Sequence, residues 1–226
     1  MWSALVRILG VLAMLMMSCG NPSGPSGASG QLGEAPTLSG RIKDWDAGTS
    51  SEVEARVWIR AAKLSQGLSR APIEADGTFH LVLPASDVVV PLAQAVPVAK
   101  GLSADCIGSI SRGPQPWHLA ELSLAVVRPN FEDGLEDGIW KQQGFDGPEE
   151  VTVHYIWSDT DAQDRTDFSC PLDSGSSRVH WAHDEDYSPG WNSIVTHATA
   201  RTDKGVETFT YHIVRDDPPS LPQWTR

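Results

Sequence analysis

Seven consecutive residues, His180-Trp181-Ala182-His183-Asp184-Glu185-Asp186, concentrate the side chains that hold divalent metals. Imidazole and carboxylate ligands together suit zinc and related ions, and such a site would support a metal-assisted hydrolase. The spacing works against it. On a strand, residues three apart point to opposite faces, so His180 and His183 meet only if the chain bends between them. The competing expectation is a strand running into an acidic, solvated loop. A second acidic run, Asp159-Thr160-Asp161-Ala162-Gln163-Asp164, suggests calcium. An EF-hand loop would want Asp or Asn in place of Gln163, Gly in place of Asp164 and Glu in place of Cys170, and all three requirements fail. A looser metal site built from Asp159, Asp161 and Asp164 is what remains. Glu132-Asp133-Gly134 and Glu136-Asp137-Gly138 offer carboxylates in the same loose way and read equally well as turns.

Other chemistry finds little support. There is no Gly-x-Ser-x-Gly elbow, no His-Glu-x-x-His and no phosphate-cradling Gly-rich loop followed by Lys. Seven His could join a triad in space, but no local pattern points to one. The expectation is a protein without catalysis and without a cofactor. Trp is the remaining chemical signal, since its ring stacks on sugars and anchors interfaces. Trp157 and Trp181 sit on the apolar parity of their strands and read as core. Trp58 shares parity with Glu54, Arg56 and Arg60, so a solvated face there leaves its ring exposed as a ligand-binding candidate; the alternative is a ring packed under a neighbouring loop or on the Arg stems beside it.

The elements that position these residues follow from the rest of the chain. Its 226 residues, with 40% hydrophobic content, give room for one or two domains. A formal charge of −12 without clustered Lys or Arg argues against nucleic-acid binding. At the N-terminus, Arg7 precedes the apolar stretch Ile8 to Met17, too short to span a bilayer and suited to a signal-peptide core. Cleavage before Cys19 removes Arg7 and all four Met but no acidic residue, taking the formal charge to −13. Residues 1–18 are thus expected as a signal peptide and 19–36 as an acylated Cys19 followed by a tether. The triplets Pro22-Ser23-Gly24, Pro25-Ser26-Gly27 and Ala28-Ser29-Gly30 read as a flexible spacer reaching roughly 20–25 Å from the membrane.

Beyond the tether the pattern is one of strands. Val53, Ala55, Val57 and Ile59 alternate with polar neighbours, and Asp76-Gly77 turns the chain into Phe79, Leu81 and Leu83. Val151, Val153, Tyr155 and Trp157 share one face of a later strand, and Phe209, Tyr211 and Ile213 one side of the last. The expected fold is all-β: two small antiparallel sandwich-like units, at 37–128 and 149–226, joined by an acidic Gly-rich connection at 129–148, or one continuous unit. With Cys19 carrying lipid, Cys106 and Cys170 are free to pair in an oxidising compartment, across 64 residues.

Met16-Met17-Ser18-Cys19 resembles the lipobox of bacterial lipoproteins, with Met16 in place of the usual Leu. The stretch from Leu38-Ser39-Gly40-Arg41-Ile42 through Ala75-Asp76-Gly77-Thr78-Phe79 to Pro84 resembles the first part of uncharacterised secreted lipoproteins of Deinococcus-type bacteria. Tyr155-Ile156-Trp157-Ser158-Asp159, Cys170 and Pro189-Gly190-Trp191-Asn192 are similar to later segments of the same proteins. The first half also resembles carboxypeptidase-regulatory or transthyretin-like sandwiches. These resemblances imply a β-sandwich at the cell envelope, on the periplasmic side or the cell surface, and bring no catalytic residue. The sequence therefore predicts a lipid-anchored binding or structural module, held to the membrane through its lipid, with an envelope protein or glycan as partner. Metal-assisted hydrolysis through the His180–Asp186 region is the alternative.

Overall fold

A computed structural model describes residues 30–46, 49–59, 63–98, 101–128, 139–146, 149–172, 177–203, 206–217 and 224–225. The leader, Cys19, the tether up to Ser29 and the Glu132–Gly138 acidic turns lie outside them. The described chain is all-β and sandwich-like, as expected. Its strands are β1 (Gln31–Gly33), β2 (Thr37–Arg41), β3 (Glu52–Ile59), β4 (Leu64–Pro72), β5 (Thr78–Val82), β6 (Gln94–Ala95), β7 (Ile107–Gly113) and β8 (His118–Val127). Then follow β9 (Ile139–Asp146), β10 (Glu149–Ser158), β11 (Ala162–Leu172), β12 (Ser177–Tyr187), β13 (Gly190–Asp203), β14 (Val206–Arg215) and β15 (Trp224–Thr225). One short helix, α1 (Ser86–Val89), follows β5. No described helix is long and apolar enough to cross a membrane.

Strand pairing follows the order β4-β3-β8-β9-β10-β13-β14-β12-β11-β7, with β2 and β5 forming a separate two-stranded sheet. Three features of this path do not fit two separate, purely antiparallel units. The 129–148 connection contains β9, which pairs both β8 and β10. Strand β7, from the first half, is hydrogen-bonded to β11 of the second. Strands β12 and β14 run parallel, so the C-terminal unit is not purely antiparallel. Sequence alternation reads the faces of strands and is silent on non-local partners, which is why these features escape it.

The period-two alternation is borne out where it is strongest. Val151, Val153, Tyr155 and Trp157 are all buried, packed with Val53, Ala55 and Val57 of β3 and Leu122, Leu124 and Val126 of β8. Phe79, Leu81 and Leu83 seal the same core from the two-stranded sheet, while His80 and Val82 face water. The Asp76-Gly77 turn forms as predicted: Gly77 has φ +87°, and an added Cβ would lie 2.7 Å from Trp45 Cβ. Only glycine suits both constraints. Trp157 is core, but Trp181 is half-buried and stacks on Tyr211 at 4.3 Å.

The face of β3 that carries Trp58 is not uniformly solvated. Glu54 is buried, and its carboxylate accepts from Arg56 Nε at 2.5 Å and Arg70 Nε at 2.6 Å. A β-bulge between Ala55 and Arg56 brings Gly67 against it, where a Cβ would strike Glu54 Oε1. Two guanidiniums on one carboxylate stabilise it where water is scarce. Glu54→Gln is expected to cost about 2 kcal/mol in chemical denaturation, because charge-assisted bonds are lost while the half-exposed Arg70 rehydrates. A loss below about 0.5 kcal/mol would show that the pairing contributes nothing.

Between β12 and β13 the chain turns through Ser188 and Pro189, yet the two strands are not neighbours. Strand β14 lies between them, parallel to one and antiparallel to the other. Arg215, at its end, reaches the fork and donates to Ser188 Oγ at 2.7 Å and Asn192 Oδ1 at 3.3 Å.

Candidate functional site: a cavity with a charged floor

Three strands align one row of charge. Arg112 on β7 stands opposite Asp164 on β11, which stands opposite Glu185 on β12. Directly opposed residues of antiparallel strands share a face, so all three side chains project the same way. Arg112 Nε donates to Asp164 Oδ2 at 2.7 Å, and Thr166 Oγ1 donates to Oδ1 at 2.5 Å. The Tyr187 hydroxyl donates to Glu185 Oε2 at 2.7 Å. His183, opposite Thr166, places Nδ1 3.7 Å from the same oxygen and carries charge only when protonated. Asp164, Thr166, Glu185 and Tyr187 are buried. Burial first, and then the Glu185 and Asp164 charges, push the Tyr187 phenol well above its ordinary range, with Arg112 opposing. The Tyr187 phenol thus resists losing the proton it donates to Glu185.

Over this floor lies a cavity of about 350 Å3 walled by Trp58, Val96, Trp117, Leu119 and Ile156. Trp117 is buried and meets Tyr187 edge-on at 5.0 Å. Trp58 lines the cavity while remaining 45% exposed, and Gln94 Nε2 donates to its carbonyl at 2.6 Å. A second hollow of about 500 Å3 lies over β10, β13 and β14 and shares Glu121, Ile156 and Glu185 with the first.

The sequence-predicted residues divide clearly. Asp164 belongs to the charged row, but Asp159 and Asp161 do not join it. Asp159 accepts from the His118 backbone N–H at 2.9 Å and lies 2.7 Å from His118 Nδ1. Asp161 is exposed and lines a different hollow, with Gln163 and Asp186. Among the described residues, the group of His, Cys, Asp and Glu able to converge on one ion is Asp164, His183 and Glu185, with ligating atoms within 4.8 Å of one another. The His180–Asp186 segment splits by parity, as a regular strand must. His180 lies 2.9 Å from Asp167 Oδ1 on the far face, and Asp184 and Asp186 pair there with Arg165. Only His183 and Glu185 face the cavity.

Trp58 is exposed, as its parity suggested, and lines a concave site. The sequence reading leaves out Arg112, Trp117 and Tyr187, which also line the site. Parity alone could have put Tyr187 beside His183 and Glu185, whereas nothing local could bring in β7. Cys106 and Cys170 form a disulfide with Cα atoms 4.3 Å apart, just beyond the Ile107–Ser169 pair that starts the β7–β11 ladder. It fastens the strand that carries Arg112.

The geometry defines an all-β protein with an aromatic-walled cavity over buried charge. No protein-family model matches the chain, and neither does a curated protein or a solved structure.

Proposed function

We propose that this protein is a lipid-anchored, extracytoplasmic binding module that holds a small ligand and performs no catalysis. The cavity carries the reading: apolar and aromatic walls around a few convergent polar groups are what small-ligand sites share. Rigid strands rather than loops supply the floor, which suits recognition by a preorganised surface. Hydrolysis by a bound metal is the weaker alternative, because both Asp164 oxygens are already engaged by Arg112 and Thr166. The anchor rests on the lipobox-like Met16-Met17-Ser18-Cys19 and the short apolar leader before it.

The anchor and the cavity are tested separately. Cys19→Ser is expected to abolish incorporation of a fatty-acid analogue and move the protein out of the membrane fraction; acylation that persists would refute the lipoprotein assignment. In a thermal-shift screen of small envelope-derived compounds against the purified chain, at least one should raise the melting temperature, and Trp58→Ala should erase that shift. A screen in which no shift depends on Trp58 would refute the cavity as a binding site.

A further inference from the structure

We infer that the cavity takes a small molecule bearing a single positively charged nitrogen on an apolar body, an aryl-alkyl or alkyl ammonium. The inference rests on the reading of the cavity as a binding site and adds the class of its ligand. The row Arg112–Asp164–Glu185 holds two buried carboxylates against one guanidinium. Asp164 takes that guanidinium at one oxygen and the Thr166 hydroxyl at the other. Glu185 is left with a neutral donor, the Tyr187 hydroxyl, and with His183 beyond hydrogen-bond reach at 3.7 Å. A buried carboxylate without a full counter-charge is costly, and one monovalent cation at Glu185 balances the charge of the Arg112–Asp164–Glu185 row.

The other ligand classes fit less well. An anion would face Asp164, Glu185 and the wall residue Glu121 together. A divalent metal would compete with Arg112 and Thr166 for the two Asp164 oxygens they already engage, and would occupy a small part of a 350 Å3 space. An organic ammonium uses both features. Its nitrogen donates to Glu185, its body fills the space between Trp117, Leu119 and Ile156, and the Trp58 ring attracts the cation through its face. Tyr187, fixed as a donor, holds Glu185 Oε2 in place for the contact.

The test is ligand-observed NMR and Trp fluorescence on the detergent-solubilised full chain. The probes are phenethylamine, its neutral analogue phenethyl alcohol, the anion 3-phenylpropionate, and zinc or manganese chloride alone. The expected order is phenethylamine over the alcohol by roughly tenfold or more, with the anion weakest. Glu185→Gln should weaken the amine by about tenfold and leave the alcohol unchanged, since the amide keeps the shape and drops the charge. Trp58→Ala should weaken both, and circular dichroism should show both variants folded. His183→Ala should retain amine binding, whereas its loss would make the imidazole the nitrogen's partner and overturn the assignment to Glu185. Equal binding of alcohol and amine, or preference for the anion, with either lost in Trp58→Ala, overturns the ammonium class and leaves the binding site standing. Saturable metal binding lost in both Asp164→Asn and Glu185→Gln, with no amine binding, overturns it in favour of a metal site. No binding by any probe counts against both the class and the site.

Discussion

Trp191→Ala is expected to lower the unfolding free energy by about 3–5 kcal/mol, the range for truncating a fully buried large aromatic side chain. Trp191 is 0% exposed on β13, facing Trp157 of β10 on one side and Gly33 of β1 on the other. Its indole N–H donates to the Pro84 carbonyl at 2.8 Å, where the chain leaves β5. One ring thus joins the entry strand, the segment after the two-stranded sheet and the centre of the long sheet. Truncation removes the packed area and leaves the Pro84 carbonyl without this donor, and surroundings built from strand backbone relax little into the gap. Trp191→Phe separates the terms: it keeps most of the apolar contact, loses the hydrogen bond and should cost about 1–2 kcal/mol. Urea denaturation followed by far-UV circular dichroism measures both. A loss under about 1 kcal/mol for the alanine variant would show that Trp191 does not hold these layers together.

Reduction of the Cys106–Cys170 disulfide is the other large effect. Closing a loop of 64 residues removes conformational freedom from the unfolded chain worth roughly 4 kcal/mol in the chain-entropy description. For a chain of this size that corresponds to a fall in melting temperature of about 8–16 °C. The bond also has a local role. Among the described residues, strand β7 is the edge of the sheet, paired with β11 alone, and it carries Arg112 to the cavity floor. Reduction should therefore loosen the guanidinium from Asp164 before the core melts, and affinity for the proposed ammonium ligand should fall at temperatures where the circular dichroism is unchanged. Melts with and without reductant, repeated on the Cys106→Ser/Cys170→Ser chain, give the readout. Identical melts, or two titratable thiols in the untreated protein, would contradict it.

Much of the local architecture is legible in the sequence, because it depends on parity and turn chemistry. Val151 through Trp157 alternate as a half-buried strand must, and Asp76-Gly77 marks its turn by residue type alone. The opposed directions of His180 and His183 follow from the same rule. What escapes is register between distant strands. Arg112 reaches Asp164 only through the β7–β11 pairing, across 52 residues, and Glu54 is buried because a bulge and two arginines accommodate it. Asp164 lies apart from the two residues its sequence pattern groups it with. Its neighbours in sequence, Asp159 and Asp161, lie elsewhere, and its neighbours in space come from β7 and β12.

The strand wedged into the fork of β12 and β13 bears on vectorial synthesis. Among the described residues, β14 is the sole strand through which the β12–β11–β7 arm is hydrogen-bonded to the rest of the sheet. It is also made after every other strand of that pairing path. As the polypeptide emerges from its N-terminus, β10 and β13 can pair, and β11 can pair with β12, while both flanks of the gap wait with unsatisfied backbone groups. Once made, β14 pairs parallel to β12 and antiparallel to β13, and Arg215 at its end reaches the Ser188 turn. Until that moment the two exposed flanks are open edges of the kind that recruit foreign strands. The nascent chain is thus exposed to mispairing along these two edges until residues 206–215 have emerged and paired.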